Sequence, residues 1–314
     1  MMKGRKCIVT GGAGFVGSNL SNELNKQGAK VKIIDNMYSG KNENINFLKD
    51  MGIEVVNGTI TDKVMLEKEM KGYEFVFHQA ALVSVMESIE KPEMSREINL
   101  EGTINVLEAA RKNEMEKVVF ASSCAIYGDT IKLPVSESDE AKPMSPYAKD
   151  KLMGEKKCIE YNQKYGLPVV CLRYFNIYGP RQSSKSAYAA AIPKFIEKIL
   201  SDNEIEIYGD GKQTRDFVFV EDIIQANLKA ATEKNANGSC LNIGSGTETT
   251  INEVTKMIME ITEKKTEIKY SDEREGEIKN SYADISKAKK ILGYKPKWNL
   301  KMGLDKTIEL MKLN

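Results

Sequence analysis

At 314 residues and 41% hydrophobic composition, the chain can hold one large α/β domain or two unequal parts around a substantial core. Its 46 basic and 45 acidic residues leave a net charge of +1, so charge gives no reason to expect a nucleic-acid or membrane-surface partner. Five scattered cysteines without metal-ligand spacing, and a single histidine (His78), argue against a metal centre or a histidine-based triad; reduced thiols in a cytoplasmic protein are the simplest account.

In chain order, Met1–Lys6 runs into a strand without the apolar core of a signal peptide. Cys7–Val9 is that strand, followed by Thr10-Gly-Gly-Ala-Gly-Phe-Val-Gly17 and a helix ending near Gly28. Further strands are expected at 31–34, 53–56, 75–77, 118–120 and 169–172, with helices at 62–71, 95–113 and 146–165 between them. Strands alternating with helices imply right-handed crossovers, hence a doubly wound parallel α/β sheet of the Rossmann kind. After about residue 175 the alternation loosens, with helices expected near 188–200, 221–233, 251–263 and 301–313 and short strands at 205–207 and 241–243. The expected division is a dinucleotide-binding domain over 1–175, to which 214–243 returns, and a smaller interleaved C-terminal lobe made mainly of 176–314. No apolar run approaches the ~20 residues that span a bilayer.

Gly11, Gly14 and Gly17 stand three residues apart between a strand and a helix. Glycines there permit positive φ and close approach of backbone to a pyrophosphate, and the helix N-terminus, beginning with Phe15 and Val16, offers free N–H groups to the phosphates. Asp35-Asn36 closes the next strand, 24 positions after Gly11. A carboxylate there accepts from both ribose hydroxyls and repels a 2′-phosphate, which favours NAD over NADP.

Ser145-Pro146-Tyr147 opens a helix with a capping hydroxyl and a proline where a missing N–H costs nothing. Tyr147 and Lys151, four apart, share one helical face. A free phenol, pKa ~10, is almost wholly protonated at pH 7. An ammonium ~4 Å away at an effective dielectric of ~20 is worth about 4 kcal/mol, or roughly three pKa units, enough to make the phenol a usable base. The same spacing at Tyr208 and Lys212 surrounds Gly209-Asp210-Gly211, where a helix is not expected.

The glycine turn together with Tyr147-x-x-x-Lys151 resembles the extended branch of the short-chain dehydrogenase/reductase family, over nearly the whole chain, and within it the nucleotide-sugar 4-epimerases. His78-Gln-Ala-Ala81, Ser122-Ser-Cys-Ala-Ile-Tyr-Gly128 and Leu172–Gln182 carry the likeness further. The resemblance implies an NAD-dependent isomerase in which Tyr147 is the base, Ser123 hydrogen-bonds the reacting oxygen and Lys151 also binds the nicotinamide ribose. It implies a UDP-sugar substrate whose diphosphate is held by Arg215 and Arg274, with contacts from Ser84, Asn176, Gln182, Ala190 and Tyr208. Ile60 is expected to read adenine through its backbone, because Thr59 stands where the family often has Asp. Glu277 likewise replaces a usual Asp.

Ser281 matches the position that walls the sugar C2 pocket in the family. A small residue there, with Gln182 and Ala190, points to UDP-N-acetylglucosamine and UDP-N-acetylgalactosamine; Val83 and Ala125 depart from that branch, and UDP-glucose/UDP-galactose remains the alternative. The dehydratases of the family place Asp-Glu where this chain has Cys124-Ala125, and its decarboxylases place Glu at Ala125, so both are disfavoured. A non-catalytic NAD sensor would be signalled by loss of Ser123, Tyr147 or Lys151, all of which are present. The family also pairs helices matching 95–113 and 146–165 across a homodimer. Asn99 is read as a packing amide and His78 as structural.

Overall fold

The computed structural model describes residues 2–130, 132–184, 190–273 and 278–312. Seven strands form one all-parallel sheet in the order Ser239–Ile243, Val169–Tyr174, Lys117–Ser123, Phe75–His78, Lys6–Thr10, Lys30–Asp35, Glu54–Asn57. Alternating side chains feed two cores. Cys7, Val9, Phe77, Val119 and Leu172 join the larger one, while Ile8, Val76, Val118, Phe120 and Cys171 join the other on the opposite face. Both faces are covered, which is why these strands are apolar runs rather than alternating ones.

The expected fold class is what the structure has, with local differences. The expected helix over 95–113 is a helix Pro92–Arg96, a wider π turn Glu97–Glu101 and a helix Gly102–Lys112. Gly102 packs so close that a Cβ would meet Ile60 Cδ1 at 2.6 Å. Helices Asn42–Asp50, Val85–Glu90 and Ser286–Leu292 escaped the periodicity reading; at six to nine residues they are too short for a repeated apolar spacing to register.

Beyond residue 175 the chain weaves. Asn176–Tyr178 pairs in parallel with Phe217–Phe219, Thr214–Arg215 pairs antiparallel with Thr249–Thr250, and Ile205–Tyr208 pairs in parallel with Ile268–Ser271. Among the described residues of that part, only Ser239–Ile243 enters the main sheet, as an edge strand beside Val169–Tyr174. Two of its main-chain groups are engaged by side chains. Asn242 N donates to Glu137 Oε1 at 2.7 Å, and Cys240 O accepts from Lys287 Nζ at 3.0 Å.

A buried polar network ties the two parts. Arg173 donates from Nε and Nη2 to the two oxygens of Glu155 (2.9 and 2.8 Å), and from Nη1 to Tyr127 Oη (2.7 Å), which donates to Asn242 Oδ1 (2.7 Å). Ser122 Oγ donates to the same carboxylate at 2.6 Å. Every member is satisfied, and removing one partner of such a pair costs about 3–5 kcal/mol. Among the described residues no helix is long and apolar enough to cross a membrane.

Candidate active site

The glycine turn has the geometry that the sequence predicts for it. Gly11 sits at φ +69°, and a Cβ there would lie 2.7 Å from Ala80 N; a Cβ at Gly17 would lie 2.1 Å from Gly11 O. Gly14, by contrast, faces open space apart from Gly11 O at 3.3 Å. Gly14 caps helix Phe15–Lys26 without a side-chain hydrogen bond. An uncapped helix N-terminus in a glycine cradle fits a pyrophosphate.

The Asp35 carboxylate is fixed by backbone, accepting from Ala13 N (2.9 Å) and Met37 N (2.8 Å). Each oxygen keeps a lone pair for a ribose hydroxyl. Gly11, Asp35, Asn36, Thr59, Ile60, Ala81 and Leu82 line one cavity at this end of the sheet. Two details alter the expected adenine contact. Thr59 Oγ1 turns onto Thr61 Oγ1 at 3.0 Å, and the Ile60 carbonyl is engaged by Asn105 Nδ2 at 3.1 Å. Asn36 Oδ1 accepts from Tyr38 N at 3.1 Å, making a local turn. These residues fit a dinucleotide; when bound, it would rest on the glycine turn and Asp35.

Tyr147 lies at the start of helix Pro146–Tyr165, where Ser145 Oγ accepts from Ala148 N at 3.2 Å. Burial pushes its phenol up to about 12, partly offset by a hydrogen bond with Ser123. Ser123 ends strand Lys117–Ser123, and its Oγ also accepts from Ala125 N at 3.2 Å, so one hydroxyl both caps a short 3-10 turn and meets Tyr147.

Lys151 lies one turn further along the same helix. Its ammonium donates to Ala121 O at 2.9 Å and lies 5.0 Å from the Phe120 ring centroid and 5.9 Å from that of Tyr147. Burial lowers it to about 8. The ammonium is thus anchored on a strand carbonyl while it faces the tyrosine ring. Burial, then repulsion by Lys151, holds His78 down to about 3; its ring nitrogens meet Thr10 Oγ1 (2.8 Å) and Thr103 Oγ1 (3.0 Å), a neutral structural bridge. Asn99 grips both backbone groups of Leu82, accepting from its N at 2.9 Å and donating to its O at 3.1 Å.

Asn176, Ala190, Tyr208 and Arg215 come together on one cavity of about 410 Å³ that Phe195, Ile207 and Phe217 also wall. Arg215 Nη1 donates to Thr214 O at 2.8 Å and Lys279 O at 3.2 Å. Gln182 Nε2 donates to O of the cavity-lining Ile177 at 3.1 Å, and its buried Oε1 has no partner among the described residues. Two further expected contacts have bonds of their own. Ser281 is placed by its N–H on Thr214 O (3.2 Å) and does not line this cavity. Ser84 spends its Oγ as the cap of helix Val85–Glu90, accepting from Glu87 N at 3.0 Å. Arg274 and Glu277 lie outside the described residues.

Cys124 directly follows Ser123. Burial and then Asp216 push its thiol up to about 12, Arg215 pulls the other way, and Cys124 in turn bears on Tyr147. Ser88 was not singled out in the sequence: buried, its Oγ accepts from Tyr147 N at 3.1 Å and donates to Val85 O at 2.6 Å. Fifty-nine positions separate it from Tyr147, and no local pattern signals such a contact.

Residues 7–244 match the NAD dependent epimerase/dehydratase family. A putative UDP-glucose 4-epimerase of Methanocaldococcus jannaschii is 43% identical, covering 98% of each chain. A UDP-N-acetyl-alpha-D-glucosaminuronate decarboxylase of Bacillus cytotoxicus is 38% identical, covering 97% of each. Among solved structures, a UDP-N-acetylglucosamine 4-epimerase from Methanobrevibacter ruminantium in complex with UDP-N-acetylmuramic acid superposes with a TM-score of 0.95, at 39% identity and 99% coverage of each chain. The chain belongs to the NAD dependent epimerase/dehydratase family, on the extended short-chain dehydrogenase/reductase fold. It is an NAD-dependent enzyme and an isomerase.

Proposed function

We propose that the protein is a UDP-N-acetylhexosamine 4-epimerase, interconverting UDP-N-acetylglucosamine and UDP-N-acetylgalactosamine through a bound 4-ketose. The observation that carries the 4-epimerase reading is the Tyr147–Ser123 pair beside Lys151, followed by Cys124 and Ala125, which offer no second acid or base. NAD, when bound, supplies the reversible hydride acceptor for C4.

Tyr147 takes the proton of the 4-hydroxyl as C4 becomes a ketone, and Ser123 holds the reacting oxygen. A phenol pushed up to about 12 needs positive charge nearby to give up its proton at neutral pH. Lys151 keeps its charge below about 8 and so contributes there. Arg215 and Arg274 grip the diphosphate with their bidentate guanidinium groups. The ketose turns about its phosphate linkage, is reduced on the other face, and Tyr147 returns the proton. No external redox partner is consumed.

The N-acetylated sugar is supported by the small Ser281 and by the Methanobrevibacter enzyme, named for UDP-N-acetylglucosamine. UDP-glucose/UDP-galactose is the second reading, favoured by the name of the Methanocaldococcus relative. The decarboxylase relative is set apart by Ala125, which has no carboxylate to offer. In this reading the protein works as a homodimer joined through the helices within 92–112 and 146–165, and in the cytoplasm. The sugar lobe is drawn mainly from 176–314.

The deciding experiment assays purified protein with NAD against UDP-N-acetylglucosamine, UDP-N-acetylgalactosamine, UDP-glucose, UDP-galactose and the N-acetylglucosaminuronate. Interconversion fastest for the first pair is expected. Preference for the plain hexoses would replace the sugar assignment, and carbon dioxide release from the uronate would replace the reaction.

A further inference from the structure

The cofactor cavity has two walls. Asp35, Asn36, Tyr38 and Ser39 with Gly58–Ile60 form one, and Ala80–Leu82 with Ile98 form the other. Tyr38 does not stop at its own wall. Its hydroxyl donates to Glu87 Oε1 on helix Val85–Glu90, which follows directly from the opposite wall. Lys91 Nζ completes the contact, donating to the same Glu87 oxygen at 3.1 Å and to Tyr38 Oη at 3.4 Å. The phenol's hydrogen bond, ahead of that of Lys91, holds the Glu87 carboxyl below its ordinary range.

We infer that Tyr38, Glu87 and Lys91 form a clasp across the adenosine end of the cofactor groove, which must open before NAD can leave. The near side of the clasp is tied to the site itself, because Asp35 Oδ1 accepts from Met37 N and Asn36 Oδ1 accepts from Tyr38 N. The far side is held just as firmly. Asn99 clamps both backbone groups of Leu82, Ser84 caps the short helix, and Ser88 is bound to the backbone of Tyr147. Between two anchored walls, a carboxylate shared by a phenol and an ammonium is the part that can give way. Tyr38 is half exposed and the Glu87 side chain only 18% exposed, so the contact sits at the surface with its carboxylate largely shielded from water. Opening the clasp costs these hydrogen bonds and nothing in the core.

Retention has a use in a reaction that returns its hydride to the same substrate, since NAD is regenerated in place and gains nothing from exchange. The clasp rests on the NAD site and not on the choice of sugar, so it survives a wrong substrate assignment.

The test loads the full-length protein with NAD, chases it with excess 1,N6-etheno-NAD, and follows fluorescence as the probe enters vacated sites. Tyr38→Phe and Glu87→Gln should each release NAD about fivefold faster than the parent, the scale of one partly exposed charge-assisted hydrogen bond. The double variant should be no faster than the faster single, because one contact is being broken twice. Unfolding midpoints of the NAD-free variants should match the parent. Unchanged release in both single variants, multiplied effects in the double, or faster release matched by an equal loss of NAD-free stability would overturn the clasp. Absence of epimerase activity with NAD release still accelerated would overturn the proposed function and leave the clasp standing.

Discussion

The cofactor end and the sugar end of this molecule are built by different means. At the cofactor end, one continuous strand–turn–helix brings Gly11, Gly14 and Gly17 together, and the next strand delivers Asp35, whose oxygens are fixed by Ala13 and Met37 backbone N–H groups. At the sugar end, Asn176, Ala190, Tyr208 and Arg215 come from four separate segments, three of them held in short two-stranded ladders. A site made from main-chain geometry is set by local sequence. A site made from converging side chains is set by the whole fold, and single residues there can be exchanged with less disturbance.

Substitutions sharpen that contrast. The largest effect is expected where the two ends meet: Tyr147→Phe keeps the ring and removes the proton acceptor, and kcat should fall at least ~100-fold. Near-parental turnover would remove Tyr147 as the base. Gly17→Ala comes next. Its Cβ would have to sit 2.1 Å from Gly11 O, so the turn must move, at a cost of about 1–3 kcal/mol in stability and with NAD affinity reduced at least about tenfold. Calorimetric titration showing unchanged NAD affinity would mean that the turn is not the phosphate cradle.

A third prediction concerns pH. His78 is held at about 3 in the fold, against ~6.5 in an unfolded chain. Between those values the unfolded state binds the extra proton. Stability from this group is therefore complete above about pH 6.5 and is lost as pH falls toward 3, by up to about 1.4 kcal/mol per pH unit. Urea unfolding from pH 7 to 4 should show that slope in the parent and a shallower one in His78→Gln. Identical slopes would mean that His78 does not titrate in this window.

The smallest effect is expected at the sugar end. Ser281→Tyr should reduce turnover of UDP-N-acetylglucosamine relative to UDP-glucose by about fivefold, the scale of 1 kcal/mol or so of lost pocket fit. Equal losses on both sugars would show that Ser281 is not the gate.

The same contrast explains what could be read in advance. The parallel sheet, the glycine turn and Asp35 were legible because apolar runs, glycine spacing and a strand-end carboxylate act over a few residues. The Tyr147 helix start was legible for the same reason, through Ser145 and Pro146. The placement of Lys151 was not: spacing put it on the tyrosine's face, but only the packed strand shows its ammonium drawn to Ala121 O. Nor could the sequence show that Ser84 is a helix cap or that Ser88 reaches Tyr147, since both depend on a six-residue helix with too few turns to display a period. The placement of Ser281 was not legible either, because it depends on the pairing of Thr214 with a segment sixty-seven residues away.

The edge strand Ser239–Ile243 carries one more consequence. Its outward backbone donor at Asn242 and acceptor at Cys240 are already occupied by Glu137 and Lys287. A strand from a neighbouring molecule would have to displace both charged side chains before it could extend the sheet. That margin is thus guarded against edge-to-edge pairing with another molecule.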